Sequence, residues 1–218
     1  YTNGPEIGNW DGSYQGLITL RQALSVSRNI PALKAFQQVD KKNIATFVNS
    51  LGLDVAYSTK SDNYKKNENT GADNLLNEAY SIGGMSYGVT PLDMAEAYAS
   101  FANGGYHIET HAVVKIEYRS TGEVVDFSEE KEKVMSDSTA YLMNNVLKYA
   151  VDYGFNGGAK VYGSTVAAKT GTSNLSEADC KAKGIPVGSV NDLWTVAYTP
   201  EYSVALWYGY EKVDSSHY

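Results

Sequence analysis

The sequence predicts an α+β fold that combines helices with an antiparallel sheet. Apolar residues recur at helical spacing after good N-cap residues in the first half of the chain, as they do after Thr19, Asp40 and Thr90. Near the C-terminus, two strand-like runs flank a turn at residues 199–202, and they follow a third strand-like run at residues 166–172. Helices and antiparallel strands therefore share one chain.

The first half of the sequence predicts three short helices. Thr19 is a good N-cap for the first helix, and Pro31 suits the first turn of the second. Asp40 begins a third amphipathic helix, which Gly52 ends. The triplet Ser27-Arg28-Asn29 falls between the first two helices. A corner between two helices is a rigid place from which to direct side chains into a cleft.

The middle of the sequence predicts a further helix and a hairpin. Thr90 caps the helix, Pro91 occupies its first position, and Gly104 ends it. Alternation at residues 107–118, followed by a turn and the apolar pair Val124-Val125, predicts a hairpin outside the main sheet.

The last third predicts one long helix and the main sheet. Ser136 or Ser138 opens the helix, which runs to about Tyr153. The strand that contains Lys169 follows, and residues 175–191 form a loop back to the second strand. Three antiparallel strands result.

The composition indicates one globular domain of 218 residues, 43% of them hydrophobic. The chain has 18 basic and 25 acidic residues, a formal net charge of -7, and no stripe of basic residues interleaved with aromatic ones. We therefore predict no nucleic-acid partner. No apolar run approaches the roughly 18 residues of a membrane span, and residues 1–20 lack the pattern of a signal peptide.

The sequence offers weak signals for a metal or a cofactor. His107, Glu109 and His111 alternate along a predicted strand and can share one face. Their spacing is not that of an HExxH motif, and the single Cys180 has no His or Cys near it in the sequence. Residues 163–170 resemble a phosphate-binding loop but lack the glycine before the lysine. We predict neither a metal nor a cofactor.

A Lys-Thr-Gly-Thr segment at residues 169–172 follows an apolar lead-in and indicates an active-site strand. The lysine offers a positive charge and the threonines offer hydroxyl donors, for which a carboxylate is the natural ligand. Gly171 has no Cβ, so a substrate backbone can lie against the strand edge. The Thr172 N–H can point toward a developing oxyanion. These are the parts of an acyl-transfer site.

Two motifs occur together in the order known from one enzyme group. Ser27-Arg28-Asn29 fits SxN and Lys169-Thr170-Gly171 fits KTG, as in serine β-lactamases and penicillin-binding proteins. The resemblance extends to longer segments, and it is to the transpeptidase domain of class A penicillin-binding proteins. Those segments are Asn9-Trp10-Asp11, GLITLRQALSVSRNIP (16–31), GGMSYGVTPLDMAEAYASFANGG (83–105) and DLWTVAYTP (192–200). Most of the chain is covered.

The resemblance implies a penicillin-binding or serine β-lactamase-like fold, in which helices flank the antiparallel sheet. It also implies roles for individual residues. The implied catalytic residues are Ser27, Asn29 and Lys169, and the implied substrate-binding residues are Thr170, Gly171, Thr172, Asn29 and Trp10. Ser27 would relay a proton between a lysine of the family's upstream SxxK motif and the leaving amine, and Asn29 would hold the peptide backbone of the donor. Lys169 would attract the donor's terminal carboxylate and help to keep the neighbouring amine base deprotonated. Arg28 is expected to face solvent.

Each of these residues also has an ordinary structural interpretation. Thr170 and Thr172 are good strand formers, Asn29 is a good turn former, and Trp10 suits a hydrophobic core. Lys169 alone could be a lysine at a strand edge. The agreement of independent segments in the right order favours the functional interpretation.

The family's nucleophile lies in an SxxK motif upstream of SxN. A lysine follows a serine at that spacing only in Ser128-Glu129-Glu130-Lys131. That segment comes after SxN, and its glutamates would raise the pKa of a lysine base, so we interpret the match as coincidental. We expect the chain to be the C-terminal portion of a single transpeptidase domain, residues 1–218, truncated at its N-terminal side. Without the nucleophile it is expected to be inactive on its own.

The function implied is that of a serine D,D-transpeptidase, which cross-links peptidoglycan stem peptides ending in D-Ala-D-Ala and is a target of β-lactams. Its partners would be those peptides, β-lactam antibiotics and the upstream part of the domain that carries SxxK. Its place would be the extracytoplasmic face of the bacterial cell membrane, with the anchor outside this chain. The missing SxxK motif favours one alternative, a noncatalytic module that recognises peptides or β-lactams. A hydrolytic relative is another alternative, but the class A segments favour transpeptidation.

Overall fold

The computed structural model describes residues 7–127, 130–210 and 213–216. Within these ranges the chain forms α-helices and two short 3₁₀-helices, the latter at Glu78–Ile82 and Gly157–Ala159. The α-helices are α1 (Leu20–Ser25), α2 (Asn29–Gln37), α3 (Lys41–Ser50), α4 (Pro91–Ala102), α5 (Asp137–Tyr153) and α6 (Glu177–Lys183).

The described strands form one three-stranded sheet and two two-stranded ribbons, all antiparallel. The strands are β1 (Tyr106–Ile108), β2 (Lys115–Glu117), β3 (Val124–Asp126), β4 (Lys131–Lys133), β5 (Ala167–Asn174), β6 (Val190–Tyr198) and β7 (Ser203–Gly209). The main sheet has the order β5-β6-β7, so β5 is an edge strand in the described part of the chain. The predicted α+β class and its three antiparallel strands are confirmed.

The predicted helix starts at Thr19, Asp40, Thr90 and Ser136 are confirmed by their caps, whereas Arg28 at the start of α2 makes no side-chain capping hydrogen bond. The Thr19 hydroxyl accepts a hydrogen bond from the backbone of Gln22 at 3.2 Å. Thr90 and Asp93 form a complete capping box at the start of α4. Of the two serines considered for α5, Ser136 is the N-cap. These local contacts are readable from sequence because they join residues two or three positions apart.

The long strand predicted at residues 107–118 is divided in the structure. β1 pairs with β4, whereas β2 pairs with β3 in a separate hairpin. Glu96 of α4 explains the break, because its carboxylate lies 2.7 Å from His107 Nε2 and accepts a hydrogen bond from the Thr110 backbone at 2.8 Å. These contacts anchor residues 107–110 to α4, between the end of β1 and the start of β2.

The main sheet and α5 enclose the core that supports the site. Leu147 of α5, Ala167 of β5 and Tyr198 of β6 form one buried cluster, and Tyr98 and Phe101 of α4 pack against it. The Tyr198 hydroxyl donates to Asn144 Oδ1 at 2.6 Å, which links the sheet to α5. These contacts hold the start of β5 firmly against α5.

No helix in the described ranges combines the length and the apolar character that crossing a membrane requires.

Candidate active site

Ser27 and Arg28 of the SxN triplet occupy the tight turn between α1 and α2, and Asn29 is the first residue of α2. Ser27 has φ 53°, the one positive φ among the described residues other than glycine. The turn is closed by hydrogen bonds from Ser27 N to Leu24 O at 3.1 Å and from Arg28 N to Ala23 O at 2.9 Å. A serine pays a conformational cost in the left-handed region, so the surrounding contacts must hold it there.

Arg28 supplies one of those contacts, and the prediction that it faces solvent is wrong. Its side chain is only 2% exposed. Its guanidinium donates to Asp11 Oδ2 at 2.7 Å and to the Ser13 carbonyl at 2.8 Å. Hydrogen bonds from Ser13 and then from Arg28 hold the pKa of the Asp11 carboxyl well below its usual range. An arginine can be buried here because its planar guanidinium donates to three acceptor atoms at once: one of Asp11 and two of Ser13.

The segment that contains Trp10 lies along the outside of the same turn. The Trp10 indole donates to the Val26 carbonyl at 3.1 Å, and its ring packs edge-on against Phe155 at 5.3 Å between centroids. The Asn29 amide donates to the Gly8 carbonyl at 2.7 Å. Trp10 is 59% exposed and does not line the cleft described below, so its substrate-binding role stays a prediction. Its contacts support the turn that presents Ser27.

Lys169 joins the two motifs. Its ammonium donates to the Ser27 hydroxyl at 2.9 Å and to the Thr170 carbonyl at 2.6 Å. Burial lowers the pKa of Lys169, because a charged amine is less well solvated there than in water. Since Ser27 Oγ accepts this hydrogen bond, its own hydrogen is left for another acceptor. The two motifs therefore meet at one point.

A cleft of about 380 Å³ opens at this meeting point. It is lined by residues of the SxN turn and of β5, together with apolar side chains from other segments. Its polar lining residues include Ser27, Asn29, Lys169, Thr170, Thr172 and Asp192, and its apolar ones include Met85, Met94, Tyr98 and Trp194. The cleft thus combines a cation and hydroxyls with an apolar wall.

The open edge of β5 determines which backbone groups face the cleft. The carbonyls of Ala168 and Thr170 accept hydrogen bonds from the side chains of Asn156 and Lys169, so both point away from β6. Along a strand this direction alternates, and Thr172 presents its N–H at the same open edge. Gly171 lies opposite Trp194, and an added Cβ would meet Trp194 Cβ at 3.4 Å, an ordinary contact. Packing alone therefore does not require glycine at this position.

Several neighbouring residues were missed by sequence reasoning. Asn156 lies in no recognised motif, and its contacts with β5 depend on tertiary structure. Asp192 stands at the start of the DLWTVAYTP segment. Burial raises the pKa of its carboxyl, but hydrogen bonds from Ser173, Trp207 and Asn191 together outweigh burial, so the pKa of Asp192 is lowered overall. The available signal for Asp192 was its position as the charged first residue of a recognised segment.

The other residues considered from sequence lie elsewhere. His107 contacts Glu96 of α4, and the His111 ring lies near the Glu109 carbonyl. The described residues contain no group of three or more His, Cys, Asp or Glu side chains that could hold a metal ion. Ser128, of the coincidental SxxK match, lies outside the described residues, so that interpretation stays a prediction.

The chain matches one family over nearly its whole length. A family described as penicillin binding protein transpeptidase domain matches residues 1–217. A curated relative, penicillin-binding protein 1A/1B of Bacillus subtilis, is 44% identical over 211 residues. The match covers 96% of this chain but 21% of the relative. The chain thus spans about a fifth of that relative's length.

Solved structures with low sequence identity share the fold. The penicillin-binding protein PonA1 from Mycobacterium tuberculosis has a TM-score of 0.74 and 23% identity, covering 99% of this chain and 55% of that one. Penicillin-binding protein A from M. tuberculosis, solved as a penicillin G acyl-enzyme complex, has a TM-score of 0.67 and 17% identity. That match covers 95% of this chain and 47% of that one.

Proposed function

Because the chain belongs to the penicillin-binding protein transpeptidase domain family, we propose that it forms one wall of the cleft of a serine D,D-transpeptidase. The reaction cross-links peptidoglycan stem peptides. A serine attacks the carbonyl of the penultimate D-Ala, the terminal D-Ala leaves, and an amino group of a neighbouring stem peptide takes over the acyl group. β-Lactams acylate the same serine.

The cation and hydroxyls at the β5 edge suit the terminal carboxylate of a D-Ala-D-Ala peptide. Lys169 contributes positive charge at the base of the cleft, and the exposed Thr172 hydroxyl contributes a short donor. In a β-lactam, the corresponding group is the carboxylate of the fused ring system. Both acyl donors would therefore be held at the same end of the cleft.

Ser27 is the proposed proton relay to the leaving amine. Its oxygen accepts from Lys169 at 2.9 Å, which leaves its hydrogen free to be donated to the departing nitrogen. The Lys169 hydrogen bond orients the serine hydroxyl for this transfer, and the proton that Ser27 gives up would be replaced from the lysine of the upstream SxxK motif.

The Thr172 N–H is proposed as one donor to the developing oxyanion. It lies at the open edge of β5, on the same edge as the Lys169–Ser27 contact. A backbone N–H held in a sheet needs no reorientation during the reaction, and this is the main advantage of a preformed oxyanion site. The Asn29 carboxamide keeps its oxygen available for the donor's backbone, since its nitrogen contacts Gly8.

The nucleophile is proposed to come from a part of the same protein outside this chain. Two facts support this: the single SxxK match at residues 128–131 lies after SxN, and the curated B. subtilis relative is much longer than this chain. That part, stem peptides and β-lactams are the proposed partners. The proposed location is the extracytoplasmic face of the bacterial membrane, where the substrate is found.

The observation that carries this proposal is the 2.9 Å contact between Lys169 Nζ and Ser27 Oγ inside a cleft. The test is product analysis with the full-length protein and a D-Ala-D-Ala peptide, with and without an acceptor amine. Release of D-Ala with acceptor-dependent formation of a new amide is the expected result. Release of D-Ala without any amide product would instead indicate a carboxypeptidase, and no turnover or acylation would contradict the proposal.

A further inference from the structure

One buried side chain outside both motifs contacts the active-site strand at two points. Asn156 is 3% exposed and follows α5. Its Nδ2 donates to the Ala168 carbonyl at 2.7 Å, and its Oδ1 accepts from the Thr170 hydroxyl at 2.9 Å. It precedes the Gly157–Ala159 helix as N-cap residue, yet its side chain makes no capping hydrogen bond there. The side chain serves β5 instead of its own helix.

This contact compensates for the missing neighbour of an edge strand. In the described part of the chain, β5 has β6 on one side only, so the Ala168 carbonyl has no strand partner there. Asn156 supplies the donor that a neighbouring strand would give. The next outward carbonyl, that of Thr170, is held by Lys169. Both anchors lie just before Thr172, whose N–H is the proposed oxyanion donor.

The residues next to Asn156 contact the other motif. Phe155 N donates to the Ser25 carbonyl at 3.0 Å, and the Phe155 ring packs on Trp10. Gly154 passes so close to α1 that an added Cβ would lie 2.3 Å from the Ser25 carbonyl oxygen. The segment Gly154–Asn156, which we name the bridge, therefore joins the SxN turn to the KTG strand.

We propose that Asn156 is a positioning residue of the active site, which fixes the β5 edge against the Ser27 turn through the bridge. This inference rests on the transpeptidase function proposed above, and it adds a residue that acts through β5 without touching the substrate. The orientation of the Asn156 amide follows from its partners, since a carbonyl can only accept. The Thr170 hydroxyl hydrogen is consequently directed at Asn156 Oδ1, which fixes the rotamer of a residue that lines the cleft.

The positioning role of Asn156 is tested by replacing its side-chain amide group, which donates a hydrogen bond, with an oxygen of nearly the same size. In Asn156→Asp the ionised carboxylate still accepts from Thr170, but it places an oxygen against the Ala168 carbonyl. A protonated carboxyl restores the missing donor, and a carboxyl buried at this site would have a raised pKa. Acylation of the variant should therefore recover when the solution is acidified, relative to wild type measured at the same pH.

The experiment measures the rate of acylation of the full-length protein by a fluorescent penicillin between about pH 8 and about pH 5. We expect Asn156→Asp to be about tenfold slower than wild type at the alkaline end, the effect of losing one hydrogen bond, and to approach the wild-type rate at the acidic end. Asn174→Asp, at the exposed far end of the same strand, makes the same charge change and should follow wild type throughout. A variant rate that equals wild type at every pH, or a reduced rate that does not respond to pH, would overturn the proposal.

A double-mutant cycle keeps the proposal testable if the aspartate variant folds poorly. Thr170→Val removes the hydroxyl that donates to Asn156 Oδ1, and Asn156→Leu removes both contacts with β5. If the contribution of Thr170 to the acylation rate depends on its hydrogen bond to Asn156, the double variant should be acylated little more slowly than Asn156→Leu alone. Rate losses that multiply would overturn it. Wild-type protein that is not labelled at all would refute the transpeptidase function itself, whereas labelled wild type with multiplying losses refutes only the role of Asn156.

Discussion

Gly154→Ala is the sharpest steric prediction for this site. The added Cβ would lie 2.3 Å from Ser25 O, 2.8 Å from Ser25 Cβ and 2.9 Å from Ala150 O. The Gly154 backbone is extended with a negative φ of -113°, outside the left-handed region that favours glycine, so crowding is the main penalty. Overpacking usually costs 1–3 kcal/mol, and because two of these atoms are backbone oxygens we expect about 2–3 kcal/mol. In a domain of this size that lowers Tm by about 4–12 °C.

Thermal unfolding of the chain, followed by circular dichroism, measures the effect. Gly158→Ala is the matched control, because it lies in the same connection and an added Cβ meets nothing within 4 Å. We expect the control to stay within about 1 kcal/mol of wild type. Equal Tm values for the two variants would refute the close packing of the bridge against α1.

Three further outcomes follow from the same geometry. Arg28→Lys should lower the free energy of unfolding by about 1–3 kcal/mol, because an ammonium cannot reproduce the two-point fork; an unchanged urea midpoint would contradict this. The pKa of Lys169 is lowered, so the unfolded chain binds more protons in the window between the folded and unfolded pKa values. Stability of wild type relative to Lys169→Met should therefore rise as pH rises through that window, and a flat difference would count against a buried ammonium. Gly171→Ala should leave Tm unchanged but slow penicillin acylation about tenfold or more, since its methyl would enter the cleft that we propose for the donor; unchanged acylation would show that the donor lies elsewhere.

The elements that could be predicted from the sequence are those set by neighbouring residues. Thr19, Asp40 and Thr90 cap helices through contacts two or three positions away, and these starts are correct. The helix α6 was missed although its signals were present, with Ser176 as N-cap and Gly184 in the left-handed conformation at its end. The polar composition of residues 175–191 predicts a loop, whereas the structure has a short helix there that buries Cys180.

The parts that could not be predicted depend on distant contacts. The position of Arg28 in a turn predicts a surface residue, whereas its burial depends on an acceptor 17 positions earlier, at Asp11. Asn156 had no motif to mark it, since its function depends on β5 being an open edge. The family resemblance predicts that Ser27 and Lys169 share one site, and the structure shows the 2.9 Å contact between them.

The central claim is that Lys169 and Ser27 belong to one acyl-transfer site, and covalent labelling tests it most directly. Full-length protein is incubated with a fluorescent penicillin, and the acylation rate of Lys169→Met is compared with that of wild type and of Lys160→Met, which alters an exposed lysine. Losing a charge-assisted hydrogen bond of about 1.5–3 kcal/mol predicts a rate about 10- to 150-fold lower for Lys169→Met, with the control unchanged. Labelling of a folded Lys169→Met protein at the wild-type rate would contradict the account.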